Sequence, residues 1–459
     1  MPRMFQLLSL IGCVSLSAAP IDIGHRLEPF FDDYLINHLD GDAGLHMHRP
    51  KPREVVLVTG EPWEGNTSAY YTIFEDDGLY RMYYRGAHWI TETRKAAHRE
   101  VTCYAESKDG IHWKKPKLGL FEFNGSKANN IVWDGLGTHC FTVFKDKNPK
   151  VKPEARYKAI SRGRSLRKGD AKYQHGLYVY QSPDGIHWKM IKEDPVITKG
   201  AFDSQNLAFF DPLRGHYRDY HRFFTNGVRA IMTCTSTDYV NWTEPVPVQI
   251  DEKDREHLYT NAIQPYERAP HVYVGFPTRY LPKQGSRVEP VFMTSRDGLN
   301  FKRWSDPVIP ESAPKGRKGN RSNYMTWGIL ELPGNDRELS VYATEAYYEG
   351  PDSRVRRFTY RKDGFVSVRF GEQGGAAITK PIRFEGDDLV LNYSVGKGGS
   401  LKVSMAPVGG KRGRFKALSG DKIRGKVSFE MGGLDGLVGK SVHLTFEGQS
   451  AHLYSMQFE

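Results

Sequence analysis

The chain is poor in cysteine and has no long apolar run beyond its first twenty residues. Its 459 residues include four cysteines, Cys13, Cys103, Cys140 and Cys234. Removal of a leader would leave the last three, an odd number that builds no disulfide framework, and none has a metal-site spacing. All three fall in predicted strands and are expected as buried free thiols. No later segment approaches the ~20 apolar residues that a membrane-spanning helix needs. Blocks of Lys and Arg are also missing, as is any nucleic-acid motif, so the net charge of +11 points to a different anionic partner. There is no dinucleotide fingerprint, no phosphate-cradling glycine loop and no Gly-x-Ser-x-Gly elbow, which argues against nucleotide chemistry and the serine hydrolases.

What the sequence does have begins with a leader. Met1-Pro2-Arg3-Met4, an apolar stretch from Phe5 to Leu16 and then Ser17-Ala18-Ala19 read as a secretory signal peptide over residues 1–19. The protein is therefore expected to be secreted or periplasmic. Leu10-Ile11-Gly12-Cys13 also has the form of a lipobox, which would attach a lipid through Cys13.

A repeat organises the rest. Ser107-Lys108-Asp109-Gly110-Ile111-His112-Trp113 returns as Ser182-Pro183-Asp184-Gly185-Ile186-His187-Trp188. Looser copies stand at Ser236-Thr237-Asp238-Tyr239-Val240-Asn241-Trp242, at Ser295-Arg296-Asp297-Gly298-Leu299-Asn300-Phe301 and at Arg361-Lys362-Asp363-Gly364-Phe365. Asp-Gly between alternating apolar runs is a hairpin signal, because glycine tolerates positive φ. Copies roughly 60 residues apart are too far separated for single hairpins and suit four-stranded blades.

The expected fold is therefore all-β, a five-bladed β-propeller over 20–370 followed by a small C-terminal β-sandwich over 376–459, with 371–375 as linker and the strand at 27–36 closing the ring. The other reading of the repeat is a β-sandwich with recurrent Asp-Gly turns. Second strands are expected near 80–84, 157–161, 217–221, 272–276 and 339–343. The C-terminal region has short alternating strands at 382–384, 389–393, 401–405, 427–429, 442–446 and 453–458.

In an antiparallel blade the end of the second strand and the start of the innermost strand share one face. The second-strand ends carry Arg85, Arg162, Arg222, Arg279 and Glu345. These side chains either staple blades together or ring a common mouth, where guanidinium forks would hold carboxylate or sulfate groups. The starts of the innermost strands add Trp63, Glu64, His139, Asp203, Glu256, Tyr259, Asn261 and Asn323. Glycosidic cleavage needs two carboxyl groups, one protonating the leaving oxygen and one acting as base or nucleophile. Asp203, Glu345, Glu256 and Glu64 are the catalytic candidates. Arg85, Arg162, Arg222, Arg279, His139, Asn261, Asn323, Trp63 and Tyr259 are the substrate-binding candidates.

The repeated Ser-x-Asp-Gly-x-x-Trp turns, Pro62-Trp63-Glu64, Tyr80-Arg81-Met82-Tyr83-Tyr84 and Phe202-Asp203-Ser204-Gln205-Asn206 resemble the five-bladed-propeller glycoside hydrolases. These comprise the invertases of family 32, the arabinanases and xylosidases of family 43, and their secreted bacterial relatives. The resemblance covers roughly residues 27–370 and implies a glycosidase, with a C-terminal β-sandwich as in the invertase-like proteins. The Trp-x-Asn-Asp-Pro-Asn-Gly, Arg-Asp-Pro and Glu-Cys motifs of invertases are absent, so the resemblance names no nucleophile. Sialidase boxes are one residue longer.

The sequence is thus read as a secreted glycosidase acting on an anionic, sulfated or uronic poly- or oligosaccharide. A carbohydrate-binding propeller without catalysis and a glycoside phosphorylase are the alternatives. No cofactor, metal site, nucleic acid or membrane span is expected, although a propeller axis can accommodate a structural divalent cation.

Overall fold

The computed structural model describes residues 19–163, 174–251, 256–309, 323–410, 413–430, 434 and 436–459. The leader expected over 1–19, with Cys13, lies outside them apart from Ala19. The described residues are all-β, with one short 3-10 turn at Pro153–Ala155. No described helix is long and apolar enough to cross a membrane. The chain divides into two compact units, one of Met47–Ser367 and one combining the residues up to His46 with Val368–Glu459.

In the described residues of the larger unit there are seven sheets, where a three-stranded one (His257–Leu258, Thr278–Leu281 and Arg287–Pro290) and a two-stranded one (Trp89–Ile90 and Lys95–Ala96) accompany five others that succeed one another along the chain. In the first, Ala69–Asp76, Leu79–Gly86, Val101–Ser107 and Ile131–Trp133 pair in succession. The second is Thr142–Lys145, Tyr157–Arg162, Leu177–Ser182 and Lys189–Met190, and the third Leu207–Asp211, His216–Thr225, Val228–Ser236 and Val246–Pro247. In the fourth, Gln264–Tyr266, Ala269–Gly275, Met293–Ser295 and Asn300–Arg303 are joined by Gln249–Asp251, which runs parallel to its neighbour. The fifth joins Glu338–Glu345, Arg354–Arg361 and Lys51–Val58. The strand that completes this last sheet is therefore Lys51–Val58 and not 27–36, where Glu28–Pro29 pairs with Met456 and Ser455 of the smaller unit.

The repeated turns form as their chemistry requires. Asp109 Oδ1 accepts from the Ile111 and His112 amides at 2.8 Å, and Ser107 Oγ accepts from the Gly110 amide at 3.0 Å. The Trp113 indole donates to the Gly110 carbonyl at 3.0 Å. Asp184 and Asp238 repeat these bonds with Ser182 and Ser236. The third copy puts Tyr239 where the others have glycine, at φ 72°, a conformation that costs a non-glycine residue roughly 1–2 kcal/mol. Complete burial of the Tyr239 ring offsets that strain.

Each turn receives a contact from the preceding sheet. Tyr83 donates to the Gly185 carbonyl at 3.0 Å, Tyr220 to Gly298 at 2.7 Å and Tyr266 to Asp363 at 2.5 Å. Phe144 lies edge-on to Tyr239. Tyr342 of the fifth sheet donates to the Gly110 carbonyl of the first at 2.7 Å, so the series returns to its start. At the inner edge, the Ile73 amide donates to the Trp327 carbonyl at 2.8 Å. A methyl group on the next residue, Gly328, would stand 2.0 Å from the Ile73 carbonyl oxygen.

In the smaller unit nine strands hydrogen-bond into one sheet, ordered Ile21–Gly24, Ile382–Phe384, Val442–Phe458, Val366–Thr379 and Ile36–Met47, with Leu389–Pro407 also paired to Val442–Phe458. The strands expected at 389–393 and 401–405 are the two halves of Leu389–Pro407, separated by a register shift between Val395 and Ser400. Residues 371–375 are not a linker but part of Val366–Thr379, where the register with Val442–Phe458 slips. Glycines read as loop from composition here serve a strand irregularity. Phe30, Phe370, Phe384, Phe446, Leu453 and Phe458 share the core.

Cys103, Cys140 and Cys234 are buried and unpaired with one another, and burial pushes their thiols up.

Candidate functional site

Three of the strand-end arginines converge. Arg85 ends its strand opposite Thr102, Arg162 opposite Leu177, and Arg222 stands opposite Ile231. Arg162 donates to Asp203 Oδ1 at 2.7 Å, and His139 Nε2 lies 2.8 Å from the same oxygen. The other His139 nitrogen is 3.0 Å from Glu100 Oε2. The imidazole thus bridges two carboxylates, donating to both when it carries two protons. Arg85 lies 3.5 Å from Glu100, donates to the Tyr347 hydroxyl at 2.9 Å and covers the Tyr70 ring at 4.7 Å.

These bonds fix the charge state of both acids. The hydrogen bond from His139 is the strongest influence on Asp203. Burial opposes it, the charges of His139, Arg162 and Arg222 reinforce it, and the carboxyl is held well below its ordinary range. For Glu100, burial pushes upward but is outweighed by His139, Arg85 and Arg162, which bring the value down to about 2. The Asp203 side chain is nevertheless 56% exposed. It combines an anion-stabilising setting with open access.

Aromatic rings continue the wall. Arg222 and Arg229 each lie 5.1 Å from the Tyr259 ring. Tyr259 meets Tyr324 at 5.7 Å and Tyr324 meets Tyr347 at 5.4 Å. The circuit then returns through Arg85 to His139. Burial pushes the Tyr70, Tyr324 and Tyr347 phenols up, so they act as neutral donors and apolar walls. Tyr70 and Arg85 come from the first sheet, Arg162 from the second and Arg222 from the third, while His139, Asp203, Tyr259, Tyr324 and Tyr347 stand on segments between strands.

Other expected residues stand apart. Arg279 contacts Glu256 at 3.1 Å and also pairs with Glu289, while Arg303 reaches Glu256 at 2.5 Å. Glu345 is buried and paired with Arg356. Both strand ends are held by a partner on the adjoining strand of their own sheet, Glu345 by Arg356 and Arg279 by Glu289. Glu64 is buried beneath the Tyr84 hydroxyl and Lys115, each at 2.6 Å, and burial pushes its carboxyl up. Trp63 donates to Asn130 at 2.7 Å beside Phe123. Asn261 accepts from the Ile263 amide at 3.2 Å, and the Asn323 amide donates to the Thr344 carbonyl at 2.7 Å. No contact among the described residues joins Glu64, Trp63, Asn261 or Glu345 to Asp203.

Glu100, Arg229 and Tyr70 were not singled out from the sequence. The signal for Glu100 was its place immediately before Val101, which pairs with Gly86, so it had to lie beside Arg85.

One further cluster could hold a metal. Asp219, His221 and Cys234 present ligand atoms within 4.8 Å of one another, all buried. They meet because Asp219 and His221 alternate on one strand and Cys234 stands opposite Asp219. The His221 ring is already engaged at both nitrogens, by Asp219 and by the Lys199 carbonyl at 2.9 Å.

No protein-family model and no curated protein matches the sequence. Among solved structures, the chain is similar to a thermostable family-43 glycoside hydrolase at 15% identity and TM-score 0.45, over 67% of this chain and 95% of that one. It is also similar to a β-1,2-mannobiose phosphorylase from Listeria innocua at 12% identity and TM-score 0.46, over 69% and 97%. A third is the family-32 β-fructofuranosidase of Bombyx mori, at 9% identity and TM-score 0.44, over 90% and 94%. Its structural neighbours thus include glycoside hydrolases of the family-43 and family-32 type.

Proposed function

We propose that Met47–Ser367 forms a five-bladed β-propeller, that the smaller unit is a β-sandwich, and that the protein is an exported glycoside hydrolase of acidic or sulfated glycans. The closed series of aromatic-to-turn contacts supports the propeller. The observation that carries the function is Asp203, an exposed carboxylate held ionised by His139 and Arg162 beside arginines from three sheets.

An ionised carboxylate suits the base or nucleophile of glycosidic cleavage, since the acid must keep its proton near neutral pH. Of the other carboxylate candidates, Glu345 and Glu64 are buried in ion pairs and Glu256, 26% exposed, is paired with both Arg279 and Arg303, so none of them is assigned as the acid. Asp203 would attack the anomeric carbon or activate a water there, with a proton passing to the departing oxygen. Release of reducing ends from uronic, sulfated and neutral glycans by the purified protein tests the reading. Turnover on none of them would refute it.

A second reading, carbohydrate binding without cleavage, has its own observation. Glu256 lies under two guanidinium groups, and the two carboxyls pushed upward, Glu64 and Asp219, are both buried. Saturable glycan binding without turnover would identify it.

A further inference from the structure

The hairpin between the second and third strands of the third sheet extends past Arg222. Pairing there continues from Arg222 and Ile231 through Phe224 and Arg229 to Thr225 and Val228, closed by Asn226 and Gly227 at positive φ. Side chains alternate along a strand, and directly opposed residues share a face. Arg222, Phe224 and Arg229 therefore lie on one side of the hairpin. The contacts agree: both guanidinium groups approach the Phe224 ring, at 5.5 and 5.4 Å, and both lie 5.1 Å from Tyr259.

These two cations have no anion of their own. Arg222 is only 5% exposed, yet its one hydrogen bond is from Nε to the Ala201 carbonyl at 3.1 Å. Arg229 has its Nη1 beside His257 Nδ1 at 3.3 Å, and its Nε is buried without a partner. Among the described residues neither forms an ion pair. The nearby acids are committed elsewhere, Asp203 to His139 and Arg162 and Glu256 to Arg279 and Arg303. A guanidinium group taken out of water without a counter-charge is costly. That cost is relieved when a ligand anion arrives. Phe224 is 49% exposed beside the pair and offers a flat apolar face to a sugar ring.

We propose that Arg222, Arg229, Phe224 and Tyr259 form an anion subsite that takes the carboxylate or sulfate ester of an acidic sugar, its ring lying on Phe224. The proposal deepens the glycosidase reading and rests on it for the identification of the ligand as a sugar. Arg222 faces both this subsite and, through its charge, Asp203.

The test is binding of monosaccharides, which have no glycosidic bond to cleave, so it stands independently of turnover. Calorimetric or NMR titrations would use D-galacturonate, D-galactose 6-sulfate, D-galactose and inorganic sulfate. Native protein should bind one or both acidic sugars at least about tenfold more tightly than galactose, because charge-assisted bidentate bonds are the stronger class. Galacturonate against galactose 6-sulfate distinguishes carboxylate from sulfate ester, and sulfate alone reports the anion without the ring. Arg222→Gln and Arg229→Gln should each lose most of the preference for the acidic sugars over galactose. Arg229 is at the hairpin end and half-buried, so its variant keeps the test open if Arg222→Gln fails to fold. Equal binding of acidic and neutral sugars, no binding of either, or an unaltered preference in Arg229→Gln would overturn the subsite. Preferential binding of an acidic sugar by a protein that cleaves nothing would keep the subsite and sink only the hydrolase reading.

Discussion

Replacing Glu100 by Gln removes the charge behind His139 while keeping the side chain's shape, and the structure sets what that should cost. Glu100 is 14% exposed and faces His139 at 3.0 Å and Arg85 at 3.5 Å. Its carboxyl falls from an ordinary 4.5 to about 2. At 1.4 kcal/mol per pH unit, the ionised form contributes about 3 kcal/mol to stability. Because the folded value lies below the unfolded one, this contribution is full above about pH 5 and is lost as pH falls toward 2. The linkage relation leaves roughly half of it at pH 3. Urea unfolding of native and Glu100→Gln protein, followed by tryptophan fluorescence, should therefore separate the two by about 3 kcal/mol at pH 7 and by about half of that at pH 3. Equal stabilities at pH 7, or a gap that does not narrow in acid, would refute the assignment of Glu100 as an ionised partner of His139 and Arg85.

Two further substitutions test the frame around the mouth. Gly328→Ala would drive a methyl group to 2.0 Å from the Ile73 carbonyl oxygen and should cost at least about 2 kcal/mol in denaturant unfolding, since backbone cannot yield as a side chain would; native-like stability would show that the contact is looser than described. Lys115→Met would leave buried Glu64 without its cation and should destabilise by about 3–5 kcal/mol, with Glu64→Gln in the same chain recovering most of the loss; additive losses in the double variant would contradict the pairing.

The turns were the most legible part of the chain, because Asp-Gly with a following aromatic is a local signal and its hydrogen bonds are local too. Alternation placed the second strands well: Leu79–Gly86, Tyr157–Arg162 and Glu338–Glu345 all contain their expected cores. Pairing between distant segments was not legible. Lys51–Val58 joins the last sheet through partners some 300 residues away, Val58 opposite Arg354 for example, and nothing local distinguishes it from 27–36. The same limit applied to the carboxylates. Position at a strand end identified Asp203, Arg85 and Arg162, whose neighbours lie at the same height in adjoining sheets. It did not separate them from Glu345 and Arg279, whose partners Arg356 and Glu289 come from the next strand over, a matter of side-chain direction and not of spacing. Glu100 was missed because it stands outside its strand, where periodicity says nothing.

The most direct measurement is turnover by Asp203→Asn on a glycan that the native protein cleaves, with circular dichroism and urea unfolding to establish that the variant is folded. Asn keeps the size of the side chain and an acceptor for Arg162 and His139, but it can serve neither as base nor as nucleophile. The account predicts a fall in kcat of roughly 10²-fold to 10⁴-fold or more, with the fold intact. Full turnover by a folded Asp203→Asn protein would contradict it.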